Sequence, residues 1–205
     1  MVTFAEFLKN AAAKREFVNI LFEERVFELF GTLRELSIPL EQAGVPHELV
    51  GGLAVFLHVE NADSTHSSLT RDIDIMIRRE DLTRVVAIAE DYGFRFRHSA
   101  GIDMLLFGET NSARNAIHLL YTGEKVKATQ LDYHPGINPV RAGLHGQDFW
   151  VIPVLDLVRM KLSSYRDKDR VHVRGMDAAG LITEDIERGL SVELLSRLRN
   201  VRETE

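Results

Sequence analysis

Two aspartates open an otherwise apolar run, Asp72-Ile73-Asp74-Ile75-Met76-Ile77. The short length and the isoleucines predict a strand over 73–77, and along a strand residues two apart leave the sheet on the same side. Both carboxylates therefore project together while Ile73 turns into a core. Like charges held that close repel and raise each other's pKa unless a cation sits between them. Mg2+ suits such a pair, because it takes hard oxygen ligands and accepts substrate phosphates as co-ligands. For the dipeptide pattern alone, two solvated surface acids are the plainer reading. Its surroundings argue otherwise: the pair follows Thr70-Arg71 and lies downstream of a glycine turn.

That turn is Gly51-Gly52. A short apolar run, His47 to Val50, precedes it, and Leu53 to Val59 reads as a helix, so the order is strand, glycine turn, helix. Two glycines let the backbone approach a ligand and adopt positive φ. The helix that follows offers free N–H groups and a positive dipole end, which suit a phosphate. Glycine pairs in such turns are also common as plain structure. Asn61 to Ser68 is polar and reads as a loop.

The rest of the chain alternates helical and extended patterns. Residues 17–43 carry apolar side chains at helical spacing, Ile20, Leu21, Val26, Phe27, Leu29, Phe30, Leu33 and Leu36, ended by Gly44 and Pro46. A helix is expected over 79–92, then strands over 94–98, 103–107 and 116–121 forming a meander. Residues 123–146, with Pro135 and Pro139, read as a long irregular connection. A strand over 149–152 and helices over 153–165, 170–179 and 192–200 complete the pattern, with Pro153 suited to a first helical turn. The fold class is α/β (α+β), a mixed sheet flanked by helices. An N-terminal helical segment (1–45) packs on an α/β core (46–152), and C-terminal helices (153–205) complete the same domain.

Composition narrows the chemistry. A chain of 205 residues with 45% hydrophobic and 27% charged residues suits one domain with a sizeable core. There is no cysteine, which excludes disulfides and thiolate metal sites. The formal net charge of −6 argues against overall attraction to DNA or to an anionic membrane. No apolar run approaches the roughly 18 residues that span a bilayer. The first residues, MVTFAEFLKNAAAKREF, lack the apolar core of a secretory signal, so a cytoplasmic protein is expected. Oligomeric state is not readable.

A last cluster lies in VLDLVRMKLSSYRDKDR, residues 154–170. Lys161 could reach phosphates as a mobile point charge and Arg166 as a fork of donors. Asp169 could serve as a base, a ligand or a helix N-cap. A solvated helix face is the bland alternative for the two cations.

With these elements in order, the chain resembles the nucleotidyltransferase superfamily. The match is carried by ELVGGLAVFLH and SLTRDIDIMI within residues 47–81, and it is nearest to the minimal and AbiEii-like branches. The resemblance implies a nucleotidyltransferase-like fold in which Gly51, Gly52, Thr70, Arg71, Lys161 and Arg166 bind nucleotide. Asp72 and Asp74 would hold Mg2+ or Mn2+, and Lys161, Arg166, Lys168 and Asp169 match a late lysine–arginine–aspartate pattern. It implies transfer of a nucleoside monophosphate from an NTP to an unidentified acceptor, whether small molecule, RNA or protein. Three departures stand out, one being a loop between the two motifs that is longer than in the minimal members. Gly52 occupies a position where many members carry serine. The strand position that commonly supplies a third carboxylate reads as His118, which leaves His118 and Asp169 as candidate bases and Asp103 and Asp132 as substitutes; whether His172 converges with His118 is left open by the sequence. The alternatives are a weak or inactive relative that binds nucleotide or a partner, in a toxin–antitoxin-like setting, and an unrelated metal-binding α/β protein or hydrolase.

Overall fold

The computed structural model describes residues 24–68, 70, 72–108, 116–144 and 146–204. The expectations for Phe17, Ile20, Leu21 and Arg71 fall outside these residues. Helix α1 covers residues 24–42 and buries Leu29, Leu33, Leu36 and Leu40, a stripe at helical spacing. Gly44, at a φ of +66°, ends it. Strand β1 (Glu48–Val50) and helix α2 (Gly51–Asp63) follow, then β2 (Ile73–Ile77) and α3 (Leu82–Asp91). Strands β3 (Phe94–Ser99), β4 (Ile102–Phe107), β5 (Ile117–Tyr121), β6 (Val140–Leu144) and β7 (Gln147–Val151) come next. Helices α4 (Val154–Ser164), α5 (Asp167–Ala178), α6 (Glu184–Arg188) and α7 (Val192–Glu203) close the chain.

The strands form one mixed sheet in the order β3-β4-β5-β2-β1-β7-β6. The β2–β5 and β1–β7 pairs are parallel and the rest antiparallel. The expected meander is present as β3-β4-β5. At the centre stands β2, whose Ile73, Ile75, Met76 and Ile77 are fully buried, as its near-continuous apolar run requires. Asp74 is the only residue of this strand that is not buried.

Four local expectations change. The glycine pair begins α2 rather than forming a separate turn, and the helix runs on to Asp63. Within the stretch read as a loop, Asp63 accepts from the Thr65 amide at 3.0 Å and starts a short 3-10 turn, Ser64–His66. The region read as irregular holds β6, and α6 interrupts the C-terminal connection. Helix α2 is apolar on all sides, with Gly51 through Val59 all buried. It packs against β1, β2 and β6 as well as α4 and α5, which a helix hydrophobic all round demands. Its first turn therefore opens between the centre of the sheet and the α4–α5 pair.

Candidate active site

Gly51 sits at a φ of +71°, in the left-handed region where a side chain is strained. A Cβ there would also come within 2.8 Å of Asp74 Cγ. The cause is register: Val50 pairs with Asp74 across β1–β2, so the carboxylate rises beside the start of α2. No side chain caps that end of the helix. An anion there gains from the positive end of the dipole and from the unpaired N–H groups.

On the other side, Asp74 is the register partner of His118 across β2–β5, and His118 Nδ1 lies 3.1 Å from Asp74 Oδ1. Hydrogen bonding to Asp74 raises the His118 pKa above its ordinary value, against the opposing effect of burial. Asp72, just ahead of the strand, lies 3.8 Å from Lys168 Nζ, with both side chains half exposed. Among the described residues, no three His, Asp or Glu side chains are grouped so as to hold a metal ion. The Asp74 carboxylate beside the helix start and the Asp72 carboxylate in the same cavity do fit Mg2+, an ion that commonly uses one or two carboxylates and fills its shell with water and substrate phosphate.

The α4–α5 corner supplies the opposite wall. Tyr165 ends α4 at a φ of +53°, and the chain turns sharply into α5. Asp169 is completely buried there and accepts from Arg166 Nε at 2.7 Å, from the Arg166 amide at 3.2 Å and from Lys161 Nζ at 3.4 Å. Burial pushes the Asp169 carboxyl up, but the Arg166 hydrogen bond and the charges of Lys161 and Arg166 outweigh it and hold it below its ordinary range. Lys161 is 5% exposed, and burial lowers its pKa against the attraction of Asp169 and Asp74. Arg166 is half exposed, and its donation to Asp169 raises its pKa.

A cavity of about 610 Å3 joins these walls. It is lined by Gly51, Gly52, Thr70, Asp72, Asp74, His118, Lys161, Arg166 and Asp169, so the described residues singled out from sequence meet in one place. Its side chains include six bases (Arg79, Lys125, Lys127, Lys161, Arg166, Lys168) and five acids (Asp72, Asp74, Asp103, Glu124, Asp169). In a chain of net charge −6 this is a local reversal, suited to a polyanion. Asp103 partners Leu119, one register step from His118. It is occupied by the Tyr121 hydroxyl, by His98 at 2.6 Å and by Arg79 at 3.2 Å. Burial pushes its carboxyl up, yet these partners hold it low. Asp132 lines a separate cavity of about 280 Å3.

The convergence of His172 with His118 that the sequence left open is present, since both line the cavity. His172, on α5, lines the main cavity and reaches the first turn of α2. Its place in the KDRVH run, one helical turn after Asp169, was the available signal.

Similar folds occur among solved structures. One is the solution structure of the antibiotic-resistance factor ANT(2'')-Ia, 13% identical over 83% of this chain and 90% of that one, with a TM-score of 0.53. A crystal structure of ANT(2'')-Ia in complex with adenylyl-2''-tobramycin is 13% identical over 82% and 95% of the two chains, with a TM-score of 0.50. An antigenic nucleotidyltransferase-like protein from Paracoccidioides brasiliensis is 15% identical over 89% of each chain, with a TM-score of 0.55. No curated protein matches the sequence. The family model described as a nucleotidyltransferase of unknown function (DUF6036) matches residues 24–198, and the chain belongs to that family.

Proposed function

We propose that the protein transfers a nucleoside monophosphate from an NTP to a hydroxyl group of a small-molecule acceptor, in the cavity between β2, the start of α2 and the α4–α5 corner. The observation that carries this is the position of Asp74. It is an acid on the central strand, wedged against Gly51 at an uncapped helix start and faced by buried Lys161. In the reaction the acceptor oxygen bonds to the α-phosphorus as the bond to the β-phosphate oxygen breaks, and pyrophosphate leaves. Asp72 and Asp74 would hold Mg2+ or Mn2+, which supplies Lewis-acid stabilisation of phosphate charge when bound.

The chain's own groups do the remainder. The amides at Gly51 and Gly52, with Thr70, receive phosphate oxygens, and Arg71 belongs to the same assignment from sequence. Lys161 and Arg166 offset charge on the phosphates, a preorganised electrostatic contribution. His118 is held through Nδ1 by Asp74, and we assign it as acceptor of the proton lost by the attacking hydroxyl. Asp169 is enclosed and fully engaged, so its role is to anchor Lys161 and Arg166 rather than to act as a base. A small-molecule acceptor is favoured over RNA by the net charge of −6, and the tobramycin adduct bound by ANT(2'')-Ia is of that class. Membership of the AbiEii-like branch and a cytoplasmic setting remain part of the proposal. Among the described residues no helix is long and apolar enough to cross a membrane.

One observation favours a second reading, a protein that binds nucleotide without transferring it. Both candidate metal ligands already have partners in the chain, Asp74 hydrogen-bonded to His118 and Asp72 beside the Lys168 ammonium. Incubation with Mg2+, each α-labelled NTP and a panel of hydroxylated acceptors separates the two. Labelled product that disappears in His118→Gln supports transfer, whereas tight NTP binding with no product supports the second reading.

A further inference from the structure

The imidazole of His172 lies across the first turn of α2. Its Cε1 is 3.4 Å from where a Cβ on Gly52 would stand, and Thr70 Cβ closes the same space at 3.0 Å. A Cβ at 52 would crowd the Thr70 side chain and sit in ordinary contact with the His172 ring, so both side chains reach the first turn of α2. His172 Nδ1 is enclosed with no hydrogen-bond partner. Its Nε2 and the Thr70 hydroxyl also lack one among the described residues. Unlike Nδ1, Nε2 is not sealed from the cavity that the residue lines.

The chemistry of the ring then follows. Burial first, and the charge of Lys161 next, lower the His172 pKa to about 4, so the ring is neutral at neutral pH. A neutral imidazole has one N–H and one lone pair. Orphaned buried N–H groups are rarer than orphaned acceptors. The enclosed Nδ1 therefore keeps the lone pair, and the N–H belongs at Nε2, toward the cavity. A donor without charge suits this position, where a further cation would repel Lys161 and Arg166.

We propose that His172 is a nucleotide-contacting residue whose Nε2–H donates to a phosphate oxygen held over the first turn of α2, beside the Thr70 hydroxyl. This rests on the assignment of the cavity to an NTP. Inorganic triphosphate with Mg2+ is the probe, because it is independent of the base, and calorimetry on the full chain gives the readout. His172→Phe should weaken binding by about tenfold or more, the usual scale for a hydrogen bond to a charged group. His172→Gln, whose amide nitrogen can stand near the Nε2 position, should stay within about threefold of wild type. Without the probe, the thermal midpoint of His172→Phe should equal or exceed that of wild type, since an unpaired nitrogen leaves the interior; a purely structural histidine would show the reverse.

If wild type binds, Asp74→Asn does not and His172→Phe binds as wild type does, this inference falls and the site assignment stands. If wild type does not bind triphosphate, both fall. Should His172→Phe fail to fold, 15N-histidine NMR of wild type decides. A proton at Nε2 of His172 whose resonance moves on adding triphosphate supports the contact, and an unmoved one overturns it.

Discussion

Gly51 and Asp169 each hold their place for a reason that a substitution exposes. An alanine at 51 would have to adopt a positive φ and displace the Asp74 carboxylate. Gly51→Ala should cost about 1–3 kcal/mol, the range for a strained backbone residue, read as a lower urea midpoint. A variant as stable as wild type would show that α2 can shift freely from β2. Asp169→Asn removes the carboxylate that neutralises buried Lys161. Breaking a buried pair from one side costs about 3–5 kcal/mol, because the remaining charge has no partner. Denaturation should register a loss on that scale, and a loss typical of a surface pair would mean that Lys161 reaches water. The residues of the site divide accordingly in their legibility. Asp72, Asp74 and the glycines announced themselves through spacing along one segment. The Asp74–His118 pair and the approach of His172 to Gly52 depend on strand register and on the packing of α5 against α2, which no local pattern encodes.

At the scale of elements, the α4–α5 corner governs whether Lys161 and Arg166 face the aspartates. It is clamped from α7: Arg197 donates to the Leu162 and Ser163 carbonyls at 2.7 and 2.8 Å and lies over the Tyr165 ring, while the Tyr165 hydroxyl donates to Asn200 at 2.8 Å. Arg197→Met keeps most of the packing and loses the donors, and should cost about 1.5–3 kcal/mol in denaturation. It should also weaken nucleotide binding, although Arg197 does not line the cavity. Unchanged affinity would show that the corner holds its angle without α7. The elements with clear periodicity were legible from sequence, including β2, the meander and α4. The start of α2 was not, since glycine is a poor helix former and here begins a helix because of what surrounds it. Strand β6 was hidden because VRAGL follows Pro139, holds Gly143 and shows no clear alternation.

For the whole molecule, the buried ionisable groups make stability depend on pH in two opposing ways. Glu48 is completely buried on β1 with Oε1 unpartnered, and burial pushes its pKa from 4.5 to about 7, against the hydrogen bond from the Asn138 amide. A raised carboxyl stabilises the fold fully below the unfolded value of 4.5, and that contribution is lost as pH rises through 7. His47, His58, His134 and His172 are lowered, chiefly by burial, so their contribution is present above 6.5 and lost as pH falls. The Glu48 term is therefore read as the difference between wild type and Glu48→Gln. The variant should gain roughly 3 kcal/mol relative to wild type between pH 4.5 and pH 8, by urea denaturation at each pH. A constant difference would place the Glu48 carboxyl in water.

The reversal of charge in the central cavity is the other property of the whole chain, and it makes nucleotide binding the most direct test. Calorimetry with Mg2+ and each NTP should show binding by wild type that requires the divalent ion. Asp72→Asn and Asp74→Asn should each weaken it by at least about tenfold, or about 1.4 kcal/mol, with the circular dichroism of the fold unchanged. Binding that persists in both variants, or that is indifferent to the ion, would contradict the assignment of the two aspartates.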